Sequence, residues 1–113
     1  MNPEIEEFKN AYVIRLKEKN LGVTDKVNLH DTIDSLNNKE KAIILDLAEV
    51  ETVDSTILGL FLRTAQDRKN QDDKGFALLH VNESVKKMLD LTRLSYLLNI
   101  SDNLEELLNQ LND

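Results

Sequence analysis

The sequence predicts an α/β domain built on a small mixed sheet of four to five strands, most of them parallel. Three observations lead there. Two short apolar runs, Ala42 to Leu47 and Phe76 to Val81, have the length and composition of strands buried on both faces. Each is followed by a capping residue and then by apolar residues at helical spacing. The chain opens with two further strand-like segments joined across Asn10, close enough for an antiparallel hairpin. At 113 residues, the chain fits one domain, residues 1–113.

Taken in order, Ile5 to Lys9 is a weak strand and Tyr12 to Leu16 a better one. Lys17 to Gly22 is polar and reads as a loop. Thr24 and Asp25 offer caps to a helix in which Leu29, Ile33 and Leu36 fall on one face, with Asn37-Asn38 as its stop. The strand Ala42 to Leu47 leads through a turn, Ala48 to Val53, into Asp54-Ser55-Thr56. From there Ile57, Leu60, Phe61, Thr64 and Ala65 recur at helical spacing up to about Asn70. A polar loop, Asn70 to Gly75, precedes the strand Phe76 to Val81. Asn82 or Ser84 then caps a helix that buries Val85, Met88, Leu89 and Thr92. Leu97 to Ile100 is a short strand, and Ser101-Asp102 opens a last helix with Leu104, Leu107, Leu108 and Leu111 on one stripe. The order ββαβαβαβα implies a largely parallel sheet whose first strand pairs antiparallel. In such sheets the working residues sit where strand ends feed helix starts, here Asp54-Ser55-Thr56 and Asn82-Glu83-Ser84.

Composition excludes several classes. Fourteen Lys plus Arg against twenty-one Asp plus Glu give a net charge of −7, which repels phosphate backbones and anionic membranes. The absence of Cys removes disulfides, thiolate metal sites and cysteine nucleophiles. No run approaches the ~20 apolar residues that span a bilayer, and the N-terminus lacks the basic and apolar regions of a secretory signal. The expectation is a soluble, cytoplasmic domain without nucleic acid or membrane insertion. No nucleophile elbow, Gly-rich phosphate loop or metal-binding helix motif is present, so no catalytic residue, metal or cofactor is expected. His80, in an apolar strand, reads as a satisfied core or edge residue and His30 as solvent-facing. The acid pairs Glu6-Glu7, Asp72-Asp73 and Glu105-Glu106 read as solvated faces. A phosphoacceptor receiver domain also has this length and alternation, with Asp46 at a strand end. It would need an acidic pair after the first strand and a Lys after a late one, and neither is present.

Val53 to Leu60 carries the most chemistry. Asp54 or Ser55 can cap the following helix, worth about 1 kcal/mol. A hydroxyl in the first turn can also accept a phosphate, whose roughly −1.5 to −2 charge suits a helix N-terminus.

The segment Ile43-Ile44-Leu45-Asp46-Leu47, followed by Val53-Asp54-Ser55-Thr56-Ile57-Leu58-Gly59, resembles the signature of STAS domains, specifically bacterial anti-sigma factor antagonists. There a hydrophobic strand and a short turn lead to Asp-Ser-Ser/Thr-Gly-Leu-Gly at a helix start. Ser84 to Leu94 is similar to the family's later helix, which ends in Asp-(hydrophobic)-Ser/Thr-Gly-Leu. The resemblance implies helices packed mainly on one side of the sheet. It also implies a non-enzymatic binding protein switched by phosphorylation of Ser55. The implied partners are a serine kinase that doubles as an anti-sigma factor, or an equivalent switch protein, and a PP2C-type phosphatase. ATP and magnesium would belong to the kinase. The binding surface is expected at Asp54, Ser55, Thr56, Ile57, Leu58 and Gly59 together with the loop Gly22, Val23, Thr24 and Asp25. Three positions depart from the pattern. Ile57 replaces its first Gly, which would place a bulkier residue at the partner surface. Gly22 stands where an Asp is usual, and Arg93 where a Gly is usual. The alternative is a constitutive STAS subunit of a transport or stress-signalling assembly, with Ser55 only a helix cap.

Overall fold

The computed structural model describes residues 2–36, 40–70, 75–93 and 95–110. The expected helix stop at Asn37-Asn38, the interior of the loop from Asn70 to Gly75, Leu94 and Leu111 lie outside them.

The strands are β1 (Glu4–Glu7), β2 (Ala11–Arg15), β3 (Asn20–Leu21), β4 (Ala42–Asp46), β5 (Thr52–Val53), β6 (Phe76–Leu79) and β7 (Asn99–Ser101). The helices are α1 (Lys26–Ser35), α2 (Ser55–Asn70), α3 (Glu83–Leu91) and α4 (Leu104–Gln110). Five strands form one sheet in the order β1-β2-β4-β6-β7. β1 pairs antiparallel with β2, and every other pairing in that sheet is parallel. This is the mixed, mostly parallel sheet the sequence predicts.

Strand alternation divides the core in two. Ile14, Ile43, Leu45, Phe76 and Leu78 join Leu29 and Ile33 of α1, Ile57 and Phe61 of α2, and Val85 and Leu89 of α3 in the larger cluster. Val13, Ile44, Ala77 and Leu79 face the other way, onto Leu107 of α4. Three helices therefore share one face while α4 covers the other. Within the main core, the rings of Phe61 and Phe76 sit 6.5 Å apart and tilted by 47°, a favourable edge-biased geometry. Arg68 is buried but satisfied, donating to the carbonyls of Gly75 at 2.9 Å and Lys41 at 2.6 Å. The exposed edge strand β1 (Glu-Ile-Glu-Glu) carries three acids, which discourage pairing with another chain.

Several boundaries differ from the sequence expectation for identifiable reasons. β6 stops at Leu79 because His80 takes a left-handed conformation, φ 61°. His80 is exposed, with Nδ1 3.1 Å from the Asp46 carboxylate. α4 begins at Leu104, because Asn103, two residues past Ser101, accepts from the Glu106 N–H at 2.9 Å. Arg93 also lies in the left-handed region, φ 60°, just past the end of α3. That conformation favours glycine, which accounts for the glycine in the family pattern.

The largest local difference is a second, two-stranded sheet in which β3 runs parallel to β5, pairing Asn20 with Thr52 and Leu21 with Val53. Both stretches read as loop or turn in the sequence. A two-residue strand leaves too few residues for alternation to show.

Candidate functional site

The β3–β5 ladder positions the site. Past its last rung, the Asp54 N–H donates to the Leu21 carbonyl at 3.0 Å, so the loop after β3 and the start of α2 lie side by side. Leu21 and Val53 anchor the ladder by burying their side chains in the main core. The loop is a single 3-10 turn, Val23–Asp25. It is closed by the Asp25 N–H on the Gly22 carbonyl at 2.8 Å and by the Gly22 N–H on Asp25 Oδ2 at 3.0 Å.

Asp54 links the two segments. One carboxylate oxygen accepts the Ile57 N–H at 3.0 Å, the bond an N-cap makes to the third helical residue. The other accepts the Val23 N–H across the loop at 2.9 Å. The cap is therefore Asp54 rather than Ser55, so Ser55 as a helix cap is corrected. Ser55 is exposed on the first turn, and its hydroxyl makes no hydrogen bond among the described residues. At Gly22 a Cβ would lie 3.4 Å from Asp54 Oδ2. The Asp usual in the family at this position would thus bring a second carboxylate against Asp54.

The structure brings together Gly22, Val23, Thr24, Asp25, Asp54, Ser55 and Thr56. Val23 is 63% exposed and Val27, one turn on, 68%, so an apolar pair flanks the polar helix entrance. Gly59 is exposed one turn beyond Ser55. Ile57 and Leu58 behave differently. They are 0% and 7% exposed and belong to the main core, because the third and fourth residues of α2 point at the sheet. The expectation of a bulky Ile57 at the partner surface is corrected: its side chain fills the core behind the site.

Between α1 and α2 runs an open groove of about 680 Å³, lined by Lys26, His30, Ser55, Thr56, Gly59, Leu60, Arg63 and Asp67. The sequence reading places His30 only on a solvent-facing helix surface, and gives Lys26 and Arg63 no role. The available signal was helical spacing, since Gly59 and Arg63 lie one and two turns beyond Ser55. Arg63 approaches Asp67 at 4.0 Å, and His30 lies 3.7 Å from both Asp31 and Asp34. Lys26 has no ion pair among the described residues. A Cβ on Gly59 would meet nothing within 4 Å. Packing within the chain therefore does not call for this glycine, although it costs its helix about 1 kcal/mol relative to Ala.

Elsewhere, Asp46 is buried and its carboxylate is committed to the Ala48 N–H at 3.0 Å, His80 at 3.1 Å and Arg15 at 3.5 Å. It is a structural hub rather than a phosphoacceptor. Among the described residues no cluster of three or more His, Cys, Asp or Glu is arranged to hold a metal ion, and no helix is long and apolar enough to cross a membrane.

The chain is 38% identical over 61 residues to an anti-sigma-B factor antagonist from Staphylococcus epidermidis, an alignment covering 54% of this chain and 56% of the relative. The chain thus spans about half the length of the curated relatives it matches. An anti-sigma-factor antagonist (STAS) domain protein from Planctomyces limnophilus superposes with a TM-score of 0.84 at 20% identity, covering 98% of both chains. The anti-sigma factor antagonist SpoIIAA has been solved in its unphosphorylated form (TM-score 0.78, 18% identity, 98% of this chain and 96% of that one). As the Bacillus cell fate determinant it has also been solved phosphorylated (TM-score 0.71, 18% identity, 96% of this chain and 98% of that one). A family model for the STAS domain matches residues 2–107, and the chain belongs to the STAS domain family.

Proposed function

We propose that this chain is a cytoplasmic, non-catalytic anti-sigma factor antagonist that works by partner switching. Unphosphorylated, it binds a serine kinase that also serves as an anti-sigma factor or equivalent switch protein, and the kinase's client is freed. The contact surface is the helix entrance Asp54, Ser55, Thr56 and Gly59 with the loop Gly22 to Asp25. Ile57 and Leu58 support it from the core.

In the inactivating step, the Ser55 Oγ–P bond forms as the bond between the γ-phosphorus and its bridging oxygen in ATP breaks. ADP leaves, and the hydroxyl proton passes to a base on the kinase. A PP2C-type phosphatase reverses this by adding water and releasing inorganic phosphate. The modified side chain carries roughly −1.5 to −2 charge. A partner face docked over Val23, Val27 and the helix entrance would have to bury that charge. A loss of about 2–4 kcal/mol corresponds to ~30- to 1,000-fold weaker binding.

One observation carries this reading: in an intact Asp-Ser-Thr motif, Asp54 holds the cap and leaves the Ser55 hydroxyl exposed and without a hydrogen bond among the described residues. The reading is also supported by SpoIIAA, a protein of the same fold known in both phosphorylation states. The test is binding to the serine-kinase anti-sigma factor encoded in the same genome, with and without ATP. Ser55→Ala should bind and never be released by ATP, while Ser55→Asp should bind poorly. Equal affinity of both variants and the wild type would overturn the switch.

A further inference from the structure

Two residue choices in the α1–α2 groove work against local stability. Lys26 is the first residue of α1, where a cation opposes the helix dipole, and among the described residues no carboxylate pairs with it. Gly59 weakens α2 from within, with no steric need for it in the chain. Both line the cleft into which Ser55 opens. Positions where local preference fails together, in one place, point to a role outside folding.

We propose that this groove receives the Ser55 phosphate, with Lys26 pairing to it across the cleft and Gly59 leaving the floor open. The inference rests on the reading of Ser55 as the modified residue. It adds that the phosphorylated side chain folds into its own domain. The modification thereby fills the groove and neutralises its free cation, so the partner loses both the cleft and the charge. The other cations lining the cleft each have a carboxylate within 4.0 Å, and none is within that distance of Lys26 among the described residues. Arg63 faces Asp67, and His30 lies between Asp31 and Asp34. Asp54 spends both oxygens on backbone N–H groups, and Asp25 accepts from Gly22. Lys26 is the cation left for the phosphate.

The experiment needs no partner. The full chain is made with phosphoserine inserted at position 55 during translation, and the phosphate is titrated by phosphorus NMR at low salt. Lys26→Gln should raise the second phosphate pKa by about half a pH unit, because a neighbouring cation stabilises the dianion. Lys26→Arg should keep the wild-type value. Lys87→Gln, exposed on α3 and outside the groove, should not change it. The difference between wild type and Lys26→Gln should shrink at high salt. Identical titrations of the wild type, Lys26→Gln and Lys87→Gln would overturn the proposal. Loss of kinase binding or of phosphorylation in the preceding test would leave this result unaffected, so the two failures are distinguishable.

Discussion

The entrances of α2 and α3 are built alike and differ in what they leave open. Each follows a strand, each is capped by a short polar side chain, and each buries its third helical residue. Asp54 accepts from Ile57 at 3.0 Å and Asn82 from Val85 at 2.8 Å, and Ile57 and Val85 are 0% and 1% exposed. At α3, however, the cap is a neutral amide and the first helical residue, Glu83, supplies the negative charge a helix N-terminus favours, whereas at α2 the cap Asp54 supplies it. Asn82 also turns inward, donating to the carbonyls of Val50 at 3.2 Å and Glu51 at 2.9 Å. At α2 the first residue is a serine, no acid follows in the first turn, and the cap reaches outward to hold the Val23 loop. Each entrance thus carries one carboxylate, but at α2 it is the cap itself, which leaves the first helical position to an exposed hydroxyl. Two serines near strand ends are thus not equivalent, and the difference lies in their neighbours.

The largest effect tests what the two entrances share. Ile57→Gly restores the family's glycine but removes a fully buried side chain and weakens the helix. It should destabilise the fold by about 4 kcal/mol in chemical denaturation. A cost near zero would show that Ile57 is not part of the core. Next, Ser55→Asp and Ser84→Asp separate the entrances. Ser55→Asp should lower affinity for the kinase by at least ~30-fold in calorimetric titration, and Ser84→Asp should leave it unchanged. If both weaken binding equally, the contrast fails.

Smaller effects separate the two caps. Asp54→Ala and Asn82→Ala should each cost about 1–2 kcal/mol. Asp54→Ala should in addition speed hydrogen exchange at the Val23 amide, which Asn82→Ala should leave protected. Smallest of all, Gly59→Ala should gain up to about 1 kcal/mol of stability, since the new methyl meets nothing. A loss of stability there would mean that the groove is closed by packing within the chain.

Much of this arrangement was readable from residue order. The buried strands Ala42–Asp46 and Phe76–Leu79 announce themselves by apolar runs, and the helices by spacing, because burial on a sheet enforces both patterns. The Asp54-Ser55-Thr56 entrance was visible as a strand end feeding a helix. What was not readable is tertiary in origin. The two-residue strands β3 and β5 have no periodicity to detect, yet they carry the Gly22–Asp25 loop to Asp54. For Ile57 two sequence signals disagreed. Helical spacing put it on the apolar face with Leu60 and Phe61, while its place in the motif pointed to the partner surface. Packing decides for the core. Lys26 comes to line the same groove as Ser55 only when α1 packs beside α2. A left-handed residue such as Arg93 shows in the sequence only as a departure from the glycine of a pattern.

The claim that one hydroxyl at the α2 entrance is set apart from its counterpart at α3 can be tested most directly by mass. The wild-type chain, incubated with the proposed serine-kinase partner and ATP, should gain a single phosphoryl group. Fragmentation should place it on Ser55, and Ser55→Ala should gain none. A chain that stays unmodified, or a phosphoryl group that maps to Ser84 or elsewhere, would contradict the account.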